Sequence, residues 1–177
     1  RPRDGDFVYN DDEVMTAVYD IRRLVAAGAA GVVVGVLNED LSVNTDALKR
    51  MIEAAGEAHV VFHRAFDVVA DQFEALERLV DLGILRVLTS GGAPVTGEGL
   101  ERIRDLVKAA DGRIEIMAGG GLKVPDIPTL FNYGVDAVHL SARKTIVGGP
   151  NRPGETGKYS QVDEELVRAA VSAAAAA

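Results

Sequence analysis

Hydrophobic residues follow two different spacings along this chain. Short runs rich in valine, isoleucine and leucine alternate with longer stretches whose apolar residues lie three and four positions apart, such as Val14, Val18, Ile21 and Val25. The longer spacing is typical of helices with one buried face, and the short runs are typical of buried strands. The pattern therefore predicts five helix–strand units and a last helix from about Val162, with strands at residues 31–37, 59–63, 86–90, 113–117 and 137–141.

Regularly spaced glycines support this division. They stand at the ends of the helical stretches, and most come shortly before a predicted strand: Gly28, Gly56, Gly83, Gly112 and Gly134. Glycine adopts the left-handed conformation that ends many helices without strain at Cβ. Each of these glycines is therefore predicted to end a helix.

The alternation of helices and strands predicts a parallel sheet with right-handed crossovers, either an open doubly wound sheet or a barrel. Polar residues decide between them. His63, Glu115 and His139 alternate with apolar residues in their strands, whereas strands covered by helices on both faces are apolar throughout. We therefore predict an α/β fold of the TIM-type (β/α)8 barrel class. Because such barrels take about 250 residues, residues 1–177 are interpreted as a single, partial barrel domain.

Composition narrows the classes of partner. The chain has 19 Lys and Arg against 27 Asp and Glu, a net charge of −8, and no cysteine. A negative protein repels phosphate backbones and anionic membranes, so neither nucleic acid nor a membrane is expected as a partner. The absence of cysteine excludes disulfides and thiolate ligands within these residues. No apolar run reaches the roughly 18 residues of a membrane span, and a cytoplasmic location is expected.

Several sequence blocks resemble a known family. Residues 1–9, RPRDGDFVY, resemble the RPRxGDFxY segment of the CutC copper-homeostasis family, and four further blocks follow in the family's order at residues 62–67, 88–91, 114–121 and 139–143. The resemblance implies a TIM-type barrel lacking roughly its first three βα units, a cytoplasmic and often homodimeric protein, and a role in copper homeostasis. In some members, the cysteines discussed as copper ligands belong to those first units.

Three polar residues are candidates for catalysis or metal binding. His63, Glu115 and His139 are predicted to point into the barrel from three strands, and such a set suits zinc, iron or copper(II) as well as acid–base catalysis. Met117 shares a face with Glu115 and could bind copper(I), which prefers soft ligands. The alternative is a hydrogen-bonded polar layer without a metal. Copper remains the candidate cofactor.

A second group of residues is predicted to bind a small anion. Gly119, Gly120 and Gly121 follow the fourth predicted strand here, and Ser141 and Arg143 follow the fifth, where TIM barrels often hold phosphate. Other basic or hydroxyl residues belong to neighbouring loops: Arg1, Arg3, Arg64 and Ser90. The alternatives are a tight bend at the glycines and structural salt bridges, such as one between Arg64 and Asp67.

Residues 143–161 contain several glycines and prolines and are predicted to form a long loop, which suits a lid or an interface. The function expected first is that of a CutC-like protein linked to copper. The alternative is a barrel enzyme that acts on a small anionic or phosphorylated metabolite with Glu115, His63 and His139 as acid–base groups. A third possibility is a scaffold protein without a working site.

Overall fold

Five parallel strands and the helices between them form the centre of the molecule. The computed structural model describes residues 1–149, 152 and 157–177. The central strands are β1 (Gly31–Val34), β2 (His59–Phe62), β3 (Arg86–Thr89), β4 (Glu115–Gly119) and β5 (Ala137–His139). The helices are α1 (Asp11–Ala26), α2 (Thr45–Ala55), α3 (Gln72–Asp81), α4 (Leu100–Ala110), α5 (Ile127–Tyr133) and α6 (Glu164–Ala175).

The strands pair in sequence order, β1-β2-β3-β4-β5, and every pair is parallel. This order confirms the five predicted helix–strand units, since a helix lies between each strand and the next. The sheet does not close: β1 and β5 lie at its two edges in the part of the chain that the structure describes. The fold is therefore an open section of the predicted barrel.

The two faces of the sheet differ as the sequence predicts. One face packs under the helices and carries buried residues such as Val32, Phe62, Val87 and Ile116. The other face carries polar or exposed residues at the alternating positions, and Val33 there is 61% exposed. Successive side chains of a strand point to opposite faces, so the alternation of polar and apolar residues marks the barrel interior.

Local signals at the helix ends agree with the sequence. All five glycines between the units have positive φ, and Gly56 and Gly134 are the C-terminal caps of α2 and α5. At the other end of α1, Asn10 and Glu13 form a capping box, in which each side chain accepts a hydrogen bond from the other residue's backbone N–H. These caps satisfy polar groups that a helix end leaves unpaired.

The prediction of an unbroken loop over residues 143–161 is wrong. Two strands, β6 (Arg143–Val147) and β7 (Lys158–Val162), pair antiparallel there, and α6 begins after them with Asp163 as its N-terminal cap. The β-branched residues Thr145, Ile146 and Val147 favour a strand, but the surrounding glycines and prolines obscured that signal. The central part of the predicted loop, residues 150, 151 and 153–156, lies outside the described residues.

Among the helices of the described residues, none is both long enough and apolar enough to cross a membrane.

Candidate anion-binding site

A cavity of about 520 Å³ lies at the carboxyl ends of β4 and β5. The segments after these two strands supply most of its wall, including Gly120, Gly121, Ser141 and Arg143, and Leu166 of α6 completes it. This is the end of the strands at which parallel α/β barrels bind their ligands. The structure thus brings together much of the predicted anion-binding group.

The cavity wall is positively charged, although the protein as a whole is negative. Arg64, Lys123 and Arg143 line it, and no aspartate or glutamate from residues 1–149, 152 or 157–177 belongs to the lining. The whole chain carries a net charge of −8. A concave surface with one sign of charge concentrates ligands of the opposite sign, so this part of the molecule favours anions. Lys123 was not among the predicted residues, although it lies two residues after the last of the three glycines, in the segment that was expected to bind an anion.

Hydrogen bonds to two neighbouring side chains hold Arg64 in place just after the end of β2. The residue belongs to a 3-10 helix, Arg64–Val68, that follows this strand. Its Nε donates to Asp67 Oδ2 at 2.6 Å, and its Nη2 donates to Ser90 Oγ at 2.8 Å. The Arg64 side chain is 39% exposed, so the guanidinium is fixed on one side and open to the cavity on the other.

Asp67 is the centre of that network. Its side chain is 5% exposed, and it accepts hydrogen bonds from Thr89 Oγ1 at 2.6 Å and from the backbone N–H groups of Ser90 and Gly92 at 3.0 and 3.1 Å. Buried carboxylates require such partners because an unpaired buried charge is costly. Asp67 therefore ties the segment after β2 to the segment after β3.

Ser90 belongs to this support and does not line the cavity. The residue is fully buried, and its hydroxyl donates to the carbonyl of Ala93 at 2.5 Å while accepting from Arg64. Ser90 thus contacts the arginine that faces the cavity, and its contact with an anion stays a prediction.

Two of the three consecutive glycines are required for close packing around the cavity. Gly120 has φ +112°, and a Cβ there would lie 2.5 Å from Arg64 Cζ. Gly121 has φ +62°, and a Cβ there would lie 2.6 Å from Val95 Cγ1. Side chains at these positions would displace their neighbours, and both positive φ values favour glycine. Gly119 is the last residue of β4 and pairs with His139. The glycines thus form a bend and also admit Arg64 to the cavity wall.

The three predicted catalytic residues do not meet in one site. Glu115 is the first residue of β4, where it forms an ion pair with its register partner Arg86. His139 pairs with Gly119, four residues further along β4. At about 3.3 Å per residue, this places Glu115 roughly 13 Å from the level of His139 along the strand. The alternation of polar and apolar residues predicted correctly that Glu115 and His139 lie on the same face of the sheet. It contains no information on how far along the strands each residue lies.

His63 lies at the end of β2 in a different environment. Its Nδ1 accepts a hydrogen bond from the backbone N–H of Ala65 at 3.0 Å, and its ring packs 4.9 Å from the ring of Phe7. Burial lowers the pKa of His63 from 6.5 to about 4. The imidazole is therefore neutral at pH 7, and its proton resides on Nε2 because Nδ1 acts as the acceptor.

The predicted metal set is separated in the same way. Met117 lies two residues after Glu115 on β4, and its register partners are Leu88 and Ala137. In residues 1–149, 152 and 157–177, no group of three or more His, Cys, Asp or Glu is placed to hold a metal ion. His63, Glu115 and His139 thus do not form the predicted centre.

The two N-terminal arginines also lie away from the cavity. Arg3 donates to Glu13 at 2.5 Å, to Asp6 at 2.8 Å and to the carbonyl of Val8 at 2.8 Å. The Arg1 guanidinium lies 4.7 Å from the ring centroid of Phe7. Neither arginine lines this cavity: Arg3 is used to fold its own segment, and Arg1 faces a separate groove. Anion binding by Arg1 and Arg3 stays a prediction.

Comparison with solved structures defines the class of fold. The chain matches an aldolase named QR15 with a TM-score of 0.60 and 22% sequence identity, over 75% of this chain and 62% of that one. It matches a CutC protein from Streptococcus agalactiae, described provisionally as a copper homeostasis protein, with a TM-score of 0.74 and 36% identity, over 78% and 69% of the two chains. The protein is thus an open section of a TIM-type barrel.

The sequence comparisons give the family. A family model described as the CutC family matches residues 1–144. A relative from Porphyromonas gingivalis strain W83, named as a CutC family protein, is 45% identical over 147 residues, which make up 82% of this chain and 59% of the relative. The chain belongs to the CutC family. It spans less than two thirds of the length of this relative.

The network around Asp67 predicts a large effect of one neutralising substitution. Asp67→Asn keeps the volume but removes the charge that pairs with Arg64, and we expect it to lower the free energy of unfolding by about 3 kcal/mol. Asp11→Asn is the matched control, because Asp11 also pairs with an arginine, Arg50 at 2.8 Å, but its side chain is 90% exposed. Its effect should stay within about 0.5 kcal/mol. Urea unfolding of both variants measures the difference, and equal effects would contradict the central role of Asp67.

The low pKa of His63 predicts a loss of stability in acid. Between pH 6.5 and about 4 the unfolded chain binds a proton at this residue that the folded chain does not. The free energy of unfolding should therefore fall as the pH is lowered through that window, by about 3 kcal/mol from this group. His63→Asn retains an acceptor for the Ala65 N–H but does not titrate. Its stability should depend less on pH than that of the wild type, and parallel profiles would contradict the assignment.

Proposed function

We propose that this chain binds a small phosphorylated or otherwise anionic metabolite in the cavity after β4 and β5. The observation that carries the proposal is the charge of the wall: among the residues that the structure describes, three cationic side chains and no carboxylate line this cavity, in a protein of net charge −8. The volume of about 520 Å³ is within the range of small-molecule sites.

The arrangement of the cations favours a phosphoryl group as the anion. Arg64 is positioned by Asp67 and Ser90, so a ligand that pairs with it does not have to immobilise a free side chain. A guanidinium group can donate two parallel hydrogen bonds to two oxygens of one phosphate or carboxylate. Lys123 and Arg143 supply further charge from the segments after β4 and β5. These contacts hold the charged end of the ligand, and His139 at the same wall faces the rest of it.

The link to copper in this proposal rests on the family to which the chain belongs and not on a set of copper ligands in the structure. The donors in this part of the family's barrel do not fit a copper centre: the sequence has no cysteine, and its histidines are divided between separate positions on the sheet. His63 would have to give up the hydrogen bond at Nδ1 to offer Nε2 to a metal. We therefore propose that this chain contributes to copper homeostasis by binding an anion, and that the described residues do not coordinate copper.

An acid–base reaction at this cavity would not use the three groups predicted from the sequence together. Of the three predicted groups, His139 alone lines it, while Glu115 is paired with Arg86 at the other end of the strands. The proposal is therefore limited to binding, and the cytoplasmic location and the homodimer remain predictions.

Binding of a phosphate ester tests the proposal. Glycerol 2-phosphate titrated into the protein, followed by calorimetry, should bind saturably, whereas glycerol should not. Lys123→Gln should weaken binding about fivefold, which corresponds to roughly 1 kcal/mol for one partly exposed charge contact. Lys49→Gln is the matched control, since Lys49 is an exposed lysine of α2 outside the cavity wall. Equal affinities for the two variants, or binding of glycerol itself, would contradict the proposal.

A copper titration tests the other half of the proposal. Copper(I) offered together with a coloured chelator of high affinity should stay with the chelator, because the described residues assemble no set of soft donors. Met117→Leu should leave that result unchanged. Stoichiometric withdrawal of copper(I) by the wild-type chain, lost in the Met117→Leu variant, would contradict the anion-only assignment.

A further inference from the structure

Apolar side chains line the anion-binding cavity beside its three cations. They come from β3, from the segment after β4, from the segment after β5 and from α6: Leu88, Leu122, Val124, Pro125, Leu140 and Leu166. The proposed function uses the cations and gives these side chains no role. They are the part of the wall that the uncharged body of a ligand would meet.

The apolar residues of the segment after β4 are held on both sides. Val124 and Pro125 belong to a 3-10 helix, Val124–Asp126. On either side of them, Leu122 is 8% exposed and Ile127 is fully buried, so both anchor the segment in the core. The ring of the proline also restricts the backbone of this short helix. The helix therefore presents a preformed apolar surface to the cavity.

Leu166 faces the same cavity from the first turn of α6, and its position is also fixed. Asp163, the residue before this helix, donates its backbone N–H to the carbonyl of Ala142 at 2.8 Å, and Ala142 lines the cavity. The Asp163 carboxylate accepts a hydrogen bond from the Glu165 N–H and lies 3.4 Å from Lys144 Nζ. Helix α6 also contacts the 3-10 helix after β4. Two packed elements thus contribute apolar wall to one cavity.

Fixed aliphatic side chains select the chemistry of the body of the ligand. Each CH₂ group that leaves water for such a surface stabilises the complex. A hydroxyl group placed there would lose its hydrogen bonds to water and find no acceptor, because the side chains of Leu166, Val124 and Pro125 are hydrocarbon. This part of the wall therefore favours a hydrocarbon body and penalises a polyol.

We propose that the ligand of this cavity is a phosphomonoester of a small hydrocarbon alcohol. Its phosphate pairs with the three cations of the wall, and its hydrocarbon body packs against Leu166 and the 3-10 helix. This inference rests on the proposed function and adds the class of the body to the class of the head group. The cavity volume of about 520 Å³ suits a small free ester. Leu166 is assigned as a residue that determines specificity for the body.

A series of phosphate esters tests the body of the ligand. Calorimetry with methyl, propyl and pentyl phosphate should show an affinity that rises about threefold for each added CH₂ group, slightly less than the roughly fourfold expected for complete burial. Ribitol 5-phosphate has the same carbon chain length as pentyl phosphate but carries hydroxyl groups along it, and it should bind about tenfold more weakly than pentyl phosphate. Equal affinities along the series, or equal affinities for these two esters, would overturn the inference.

Leu166→Ala removes apolar wall and leaves all three cations in place. The affinity for pentyl phosphate should fall about fivefold, whereas the affinity for methyl phosphate should not change, because the short ester does not reach this side chain. Val167→Ala is the matched control: Val167 is the next residue of α6 and is 39% exposed against 38% for Leu166, but it lies outside the cavity lining. Both variants should unfold near the wild-type temperature. Equal weakening of both esters by Leu166→Ala would contradict its assigned role.

Such an ester can be a free metabolite or part of a membrane lipid, and the structure favours the free ester. The net charge of −8 opposes binding to an anionic membrane. The protein should therefore stay in the supernatant when vesicles of phosphatidylcholine and phosphatidic acid in equal amounts are sedimented. Sedimentation of the protein with these vesicles would overturn the assignment to a free ester.

Failure of this inference can be distinguished from failure of the proposed function. Lys123→Gln acts on the head group and should weaken all three alkyl phosphates by the same factor. If neither methyl phosphate nor glycerol 2-phosphate binds to the wild type, the cavity is not a phosphate site, and both proposals are wrong. If both bind and Lys123→Gln weakens them, but Leu166→Ala leaves pentyl phosphate unaffected, the anion site stands and the hydrocarbon body is wrong.

Discussion

The buried carboxylate of Asp67 is the interaction on which the candidate site depends. It lies after β2 and accepts hydrogen bonds from the last residue of β3 and from residues that follow that strand, so it links the carboxyl ends of two neighbouring strands. The same carboxylate fixes Arg64 from one side, and the glycine at position 120 leaves room for the guanidinium on the other. One buried acidic residue thereby determines where a basic residue meets the cavity.

The sequence contained enough information to predict the architecture. The period of the apolar residues located every helix–strand unit, and the glycines located the helix ends, because both signals are local consequences of backbone geometry. The hairpin β6–β7 was missed because glycine and proline residues dominate the same segment. The glycine and proline content of that segment indicated a loop, whereas three consecutive β-branched residues, Thr145, Ile146 and Val147, indicated the strand that is present.

The site was harder to predict than the fold. Strand alternation placed Glu115 and His139 correctly on the polar side of the sheet, but whether two such residues meet depends on the register between strands. That register places Glu115 beside Arg86, which satisfies its charge far from the cavity. Ser90 and Arg3 show a related limit: each is polar and close to functional residues in the sequence, yet its partners inside the fold already use its hydrogen-bonding groups. Chain spacing does not reveal such pairing.

One wall of the cavity comes from outside the part of the chain that the family model matches. That match ends at residue 144, whereas Leu166 belongs to α6, which follows the β6–β7 hairpin. The basic residues of the wall and Leu166 thus belong to segments of which the first lies inside the family match and the second outside it. Under the proposed function, related barrels can retain the same basic residues and still accept ligands of different bulk, through changes in a helix that supplies none of the basic residues of the wall.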